Sequence, residues 1–269
     1  VLVFIYIKYK CYKSKKIIFN LIKNMEIPKI SILTPTYDRK KFLPLMICNI
    51  ENFDYPKHLI TWEILDSFSF KGKRAEKLFK SENEIKALEK QLNIKIKYKY
   101  VEKTMSIGQK RNYLSKHSTE KIMINMDSDD IYLPTYLIYS THLLKTNNAN
   151  LTGSNSMLFY DGSKFYAIQC EAKRQIHEAT MCYTKKHWKS SNGYSNSSQG
   201  EGAGMIDNFN ENKIINGEII HMMICVVHNN NTIDKNKFLT DKMIFEINKD
   251  EIPPPQIEMV KNLLSKSNK

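Results

Sequence analysis

The segment Ile122-Met-Ile-Asn-Met-Asp-Ser-Asp-Asp-Ile-Tyr132 limits the possible folds more than any other, because an apolar run ends abruptly in acid. Ile122 to Met126 is apolar except for Asn125, and Asp127, Asp129 and Asp130 follow at once. Such a run fits a strand covered on both faces, as in a parallel or mixed sheet. The carboxylates then stand at its carboxyl end, where open α/β sheets hold their ligands. Two aspartates separated by one residue can reach a single hard cation whose other ligands come from substrate phosphates. The same residues also suit a polar turn before a helix, with Asp129 or Asp130 as N-cap and Pro134 in the first turn. Both readings can hold together.

The segments before it repeat one unit. Lys29 to Tyr37, with Ile30, Ile32 and Leu33, reads as a strand that Pro35 ends. Asp38 is placed to cap a helix over Lys40 to Asn52, where Phe42, Leu43, Met46, Ile47 and Ile50 recur at helical spacing. Leu59 to Leu65 is a second strand, closed by Asp66. A charged helical region over Lys71 to Leu92, with Gly72 near its start, leads to the alternating Ile94 to Val101, a strand with one wet face near the sheet edge. Ser106 is the expected N-cap of a helix to His117 that leads into the acidic strand. Three strands, each followed by a helix, precede the acids, so the class is α/β with crossover connections.

Beyond the acids the pattern changes. A helix over Pro134 to Lys145 is followed by short strands at Asn150 to Gly153, Met157 to Tyr160 and Lys164 to Gln169, with Asp161-Gly162 as a hairpin turn. Then come a strand at Thr180 to Thr184, a small helix at Lys185 to Lys189, a polar loop to Ser198 and the glycine-rich Gln199 to Gly204. Glu218 to Val227 is a last apolar strand reaching His228, and a tail helix is expected over Ile257 to Leu264.

At 269 residues the chain suits one large α/β domain. Its +13 charge comes almost wholly from scattered lysines in an Asn- and Ile-rich sequence, so solvated lysine faces are expected, and no nucleic-acid partner. Val1 to Ile7 is too short to span a bilayer, which takes about 20 residues, and lacks the order of a signal peptide. Met25 stands just before the first strand, and residues 1–24 are expected to be a dispensable or non-native extension. The domain proper is expected over 25–248, with a tail over 249–269. Five cysteines, at 11, 48, 170, 182 and 225, show no metal-site spacing. Free, mostly buried thiols are expected, in a cytoplasmic protein that is soluble or peripherally membrane-associated.

Several elements occur in a telling order: the strand with Thr34-Pro-Thr-Tyr37, the strand ending at Asp66, the helix with Gly108-Gln-Lys-Arg-Asn112, the strand ending Asp127-Ser-Asp-Asp130, then Gly200-Glu201 and His228. Together they resemble the GT-A glycosyltransferases, specifically the family 2 type that transfers sugars from nucleotide diphosphate sugars. The resemblance covers roughly residues 28 to 232. It implies a GT-A fold, with a mixed central sheet flanked by helices. It further implies that Thr34, Pro35, Thr36 and Tyr37 surround the nucleoside base and that Asp66 accepts a hydrogen bond from it. The usual pattern there is two acids followed by Gly-Ser, and Asp66-Ser-Phe-Ser69 departs from it.

By the same resemblance Arg111 faces the donor, where a guanidinium clamps phosphate oxygens or holds aspartates in place, and Lys110 is a solvated neighbour. Asp127 falls near the ribose, Asp129 ligates a divalent metal, and Asp130 is a helix cap or a group behind the metal. His228 supplies a further metal ligand, and its neutral imidazole favours Mn²⁺ over Mg²⁺. That metal would offset charge on the departing nucleoside diphosphate. Glu201 matches the general base of inverting members, which takes the proton from an acceptor hydroxyl. Glycines at 200, 202 and 204 are expected to leave space for a sugar, although Gly202 stands where many relatives have a second acid. Trp188 and Tyr194 are candidate platforms for an acceptor sugar.

The implied function is a metal-dependent, inverting glycosyltransferase with a nucleotide diphosphate sugar as donor and a glycan or glycoconjugate as acceptor. Two other readings use the same residues. One is a catalytically silent nucleotide- or glycan-binding GT-A domain, which the joint presence of Asp66, Asp127, Asp129, Glu201 and His228 argues against. The other is a nucleotidyltransferase, for which the glycine-rich basic phosphate loop after the first strand is missing.

Overall fold

The computed structural model describes residues 26–67, 75–169, 175–206, 213–229, 231, 235 and 254–265. The extension over 1–24 with Cys11, the helix start at Lys71 and Gly72, Phe68, Ser69, Cys170 and the tail outside 254–265 lie outside the described residues.

Strand β1 (Ile30–Thr36) is buried along its whole length and pairs in parallel with β2 (Ile60–Ser67) on one side and β4 (Ile122–Asn125) on the other. Strand β3 (Lys95–Val101) pairs in parallel with β2 and forms the sheet edge among the described residues, which suits its row of lysines. Beyond β4, β9 (Cys182–Thr184) runs antiparallel and joins β6 (Leu151–Gly153), which pairs in parallel with β10 (Ile214–Asn216). One reversed strand thus makes the seven-stranded sheet mixed, in the order β10-β6-β9-β4-β1-β2-β3.

The period of two along each strand divides the core. Ile30, Ile32, Trp62, Ile64 and Ile124 enter one cluster, with Leu45, Met46 and Ile50 of α1 (Leu43–Asn52) and Leu88 and Leu92 of α2 (Glu82–Leu92). Leu33, Leu65 and Met123 enter a second cluster on the opposite face, with Leu114 of α3 (Ile107–His117). Helix α3 opens with a capping box: Ser106 Oγ accepts from Gln109 N at 3.1 Å, and Gln109 Oε1 accepts from Ser106 N at 2.9 Å. Such a cap stabilises a helix start by about 1 kcal/mol.

A smaller sheet closes over the acidic motif. Its order is β5-β11-β7-β8, formed by β5 (Ile131–Tyr132), β11 (Met223–Val226), β7 (Ser156–Tyr160) and β8 (Phe165–Gln169). Gly162, at φ +97°, turns the β7–β8 hairpin as its sequence predicts. Helix α4 (Tyr136–Thr146) follows β5, and the short α5 (Lys185–Ser190) and α6 (Ala203–Ile206) flank the glycine-rich loop. In α7 (Pro254–Ser265) Gln256 is fully buried and donates to Asn49 Oδ1 and Tyr132 O, both at 2.9 Å. The tail helix is therefore pinned behind the acidic motif.

Several local expectations are corrected. Pro35 does not end β1: pairing with β4 stops at Leu33, but pairing with β2 runs on to Thr36. Asp38 takes a left-handed φ of 51° and Arg39 is the N-cap of the 3-10 turn Lys40–Phe42 before α1. Helix α2 starts only after Ser81, whose hydroxyl accepts from Glu84 N. Neither Asp129 nor Asp130 caps α4; β5 intervenes, and Thr135 holds the N-cap position. The final apolar run divides into a 3-10 turn, Ile219–His221, and β11, while β10 went unrecognised because it is only three residues long. Cys48, Cys182 and Cys225 are free and buried.

Candidate active site

Strand register gathers the site. Thr36 lies beside Asp66 and Leu33 beside Asn125, so the carboxyl ends of β1, β2 and β4 share one edge. The strand order reverses at β1, the place where open α/β sheets form a ligand crevice.

Asp129 sits closest to that crevice's charge. Its Oδ2 is 3.0 Å from His228 Nε2 and accepts from Arg39 Nε at 3.1 Å. Burial works against its ionisation, but the His228 contact and the charges of Arg39 and Lys235 outweigh that and hold the carboxyl well below its ordinary range. His228 packs against the Phe42 ring at 4.8 Å, and burial lowers its pKa against the pull of Asp129. Asn231 holds the imidazole in place: its Oδ1 accepts from His228 N at 2.7 Å, and its Nδ2 lies 3.0 Å from His228 Nε2. His228 Nε2 thus stands between a carboxylate oxygen and an amide nitrogen: protonated it donates to Asp129, and with its proton on Nδ1 it offers the lone pair that binds a metal.

In the tautomer with its proton on Nδ1, the His228 Nε2 lone pair and the Asp129 carboxylate oxygen point into one space 3.0 Å apart. That separation matches two neighbouring ligands at right angles on an ion with bonds of about 2.1 Å. The residues fit a divalent ion, with two protein ligands. Among the described residues no group of three or more His, Cys, Asp or Glu forms a ready-made cage.

Asp130 faces the other way. Its Oδ1 accepts from Val226 N at 2.8 Å and Lys235 Nζ at 2.9 Å, and its carbonyl accepts from Asn49 Nδ2 at 2.9 Å. Burial raises its pKa to about 6, with Lys235 opposing and Asp129 and Asp127 adding. It ties β11 to the acidic motif and so helps place His228.

Arg111, 1% exposed, links two acids: its NH2 group donates to Asp127 Oδ1 at 2.8 Å and its Nε to Glu201 Oε1 at 3.0 Å. Glu201 is 5% exposed, and burial raises its pKa although Arg111 opposes the shift. The glycine-rich loop reaches this position by close packing. Gly200, at φ +60°, has open space around it, but a Cβ on Gly202 would stand 2.6 Å from Glu178 Cγ. Of the three glycines expected to leave room for a sugar, Gly202 and Gly204 instead let backbone approach its neighbours.

At the base end, Asp66 Oδ2 accepts from Leu78 N at 3.1 Å and Tyr98 OH at 2.8 Å. Burial raises its pKa against these hydrogen bonds. Thr34 turns its hydroxyl into the core, accepting from Trp62 Nε1 at 2.9 Å, and Pro35 is buried beside it. Thr36 and Tyr37 reach the edge. Tyr194 is buried, its hydroxyl accepting from Asn125 Nδ2 at 3.0 Å, so it offers no surface to a sugar. Trp188 is half-buried, donates to Asn112 Oδ1 at 3.1 Å and lines a surface groove with Met105, Tyr113 and Lys116.

Sequence reasoning missed four contributors. Lys110 is not solvated: it is 3% exposed and donates to Thr36 O at 2.6 Å. Arg39 binds Asp129, and Glu178 Oε1 accepts from Gly202 N at 3.1 Å. His177 lies 3.6 Å from Cys225 Sγ. A signal existed for Arg39: among 41 basic residues only four are arginines, and both described ones hold site carboxylates.

No protein-family model matches the sequence, and a search of curated proteins finds no match. Solved structures do match. One is Staphylococcus aureus TarS 1-349 in complex with UDP, with a TM-score of 0.55 at 14% identity over 74% of this chain and 60% of that one. The same protein with UDP-GlcNAc gives 0.55 at 15% identity, over 76% and 60%. The mannosyltransferase PcManGT from Pyrobaculum calidifontis, in complex with GDP-Man and Mn²⁺, gives 0.54 at 12% identity over 97% of this chain and 81% of that one. The chain thus spans about 60% of the length of the TarS structures it matches. The fold is that of GT-A glycosyltransferases, a mixed central sheet flanked by helices. No described helix is long and apolar enough to cross a membrane.

Proposed function

We propose that the protein is a divalent-metal-dependent, inverting glycosyltransferase that moves a sugar from a nucleotide diphosphate donor to a hydroxyl of a glycan or glycoconjugate. The observation that carries this reading is the Arg111 bridge, which sets a buried carboxylate, Glu201, beside the donor-side acid Asp127. The fold shared with TarS, solved with UDP and UDP-GlcNAc, and with PcManGT, solved with GDP-Man and Mn²⁺, supports it. A divalent ion, preferably Mn²⁺, would be held by Asp129, His228 and the donor's diphosphate, where it would neutralise charge on the leaving group.

The chain's own residues have separate tasks. Thr36, Tyr37 and Asp66 hold the base, and Asp127 faces the ribose. Glu201 takes the acceptor hydroxyl's proton while that oxygen bonds to the anomeric carbon and the carbon–phosphate-oxygen bond breaks. A raised carboxyl pKa brings such a base nearer to neutrality and improves proton transfer. Arg111 keeps Asp127 and Glu201 at a fixed separation.

The test is release of nucleoside diphosphate from a panel of sugar nucleotides, with and without Mn²⁺, in wild type and Glu201→Gln. The expected result is Mn²⁺-dependent release that falls by about 100-fold or more in the variant. Nucleotide binding without release from any sugar nucleotide would favour the silent domain, and full turnover by Glu201→Gln would remove the assigned base.

A further inference from the structure

Lys110 occupies a position that a lysine fills only at a cost. It lies in the first turns of α3, 3% exposed, with its Nζ 2.6 Å from Thr36 O and 5.6 Å from the Tyr37 ring centroid. Burying an ammonium without a full partner is unfavourable, and Lys110 makes no ion pair among the described residues, although Asp66 is near enough to influence its charge.

Opposite it, Thr36, Asp66 and Tyr100 form one row across β1, β2 and β3, because Thr36 is in register with Asp66 and Asp66 with Tyr100. Thr36 Oγ1 and Tyr100 OH are buried and have no hydrogen-bond partner among the described residues. Asp66 uses Oδ2 for Leu78 N and Tyr98 OH. One edge of the sheet thus gathers a cationic donor, a carboxylate acceptor and two unpartnered hydroxyls. Groups of this kind are retained in a core when a ligand completes them.

We propose that Lys110 is a base-selecting residue: its ammonium and the Asp66 carboxylate take a nucleobase that carries a ring N–H next to a carbonyl. Uracil and guanine share that edge. Adenine and cytosine carry an exocyclic amine in place of the carbonyl and meet the ammonium donor to donor. The inference rests on the donor-site reading above and adds to it the class of base and the residue that chooses it. Rejection follows because a buried donor left unpaired is worse than a pair never made.

The experiment is equilibrium binding of UDP, GDP, CDP and ADP, with Mn²⁺ and at pH 6, where Lys110 keeps its proton, to wild type and to Lys110→Met. Wild type is expected to prefer UDP or GDP over both amino-bearing nucleotides by about tenfold or more, and which of the two it prefers names the base. Lys110→Met is expected to lose that preference, binding UDP or GDP more weakly and CDP and ADP no more weakly than wild type does. A second measurement leaves the protein intact: the analogue of the preferred nucleotide with sulfur in place of the carbonyl oxygen should bind wild type more weakly. If Lys110→Met does not fold, that analogue decides alone. An unchanged preference in Lys110→Met, or equal binding of the oxo and thio forms, overturns the role of Lys110 and leaves the donor site standing. Binding of none of the four overturns both.

Discussion

Oδ2 of Asp129 lies 3.0 Å from Nε2 of His228, with Asn231 Nδ2 at 3.0 Å from the same nitrogen. With the proton off Nε2, the two atoms can share a divalent cation. His228→Ala should therefore weaken Mn²⁺ binding in the presence of nucleoside diphosphate by more than the roughly 10–100-fold lost with an outer partner. Titration of Mn²⁺ followed by electron paramagnetic resonance reads this directly, and unchanged affinity would exclude His228 as a ligand.

Arg111 neutralises two acids inside the protein, Asp127 and Glu201. Removing one member of a buried ionic set leaves charge uncompensated and costs about 3–5 kcal/mol. Arg111→Met is expected to fall in that range by denaturant unfolding. Arg111→Lys should not restore stability, because a point charge cannot serve both carboxylates as a planar fork does. A loss under about 1 kcal/mol in Arg111→Met would show that the bridge is not structural.

Gly108 fixes the distance between α3 and the loop carrying Glu201. Its N–H donates to Ser197 O at 2.8 Å, and a Cβ there would run into the Ser195 carbonyl oxygen and stand 3.1 Å from Glu201 Cβ. Gly108→Ala must displace that loop, so turnover is expected to fall by about 100-fold, as a 1 Å misplacement can cost, while nucleotide affinity changes little. Equal losses in both would mean that the whole crevice had deformed.

Lys110 also gives a pH signature. Burial lowers its pKa to about 7, with Asp66 opposing and Arg39 assisting, whereas the unfolded amine titrates near about 10.4. Between those values the unfolded chain binds more protons, so this residue makes stability rise with pH; below about 7 both states are protonated and its contribution is flat. The stability of wild type relative to Lys110→Met should grow between pH 7 and 9, by at most about 1.4 kcal/mol per unit. Parallel curves for the two proteins would refute the shift.

Much of this was legible in the sequence for identifiable reasons. Apolar runs located β1, β2 and β4, strict alternation located β3, helical spacing located α1 and the N-cap Ser106 located α3, because burial and capping impose those patterns. The edge position of β3 followed from its alternating lysines. What escaped depended on distant contacts. Nothing near Gln256 announces that it donates to Asn49 and Tyr132, and nothing near Lys110 shows that Thr36 O receives it. Short strands such as β5 and β10 have too few residues for a period to emerge, and Gly202 looks like flexibility until Glu178 is seen against it.

The central claim is that the acids after β4 build a metal-dependent nucleotide site. The most direct measurement is the melting temperature of the full chain against nucleoside diphosphates with and without Mn²⁺, in wild type, Asp129→Ala and Glu201→Gln. Ligand at 100 times its Kd stabilises the folded state by about 2.7 kcal/mol. The account predicts an upward shift that requires Mn²⁺, persists in Glu201→Gln and disappears in Asp129→Ala. A wild type that shifts with no nucleotide, or an Asp129→Ala variant that shifts as wild type does, would contradict it.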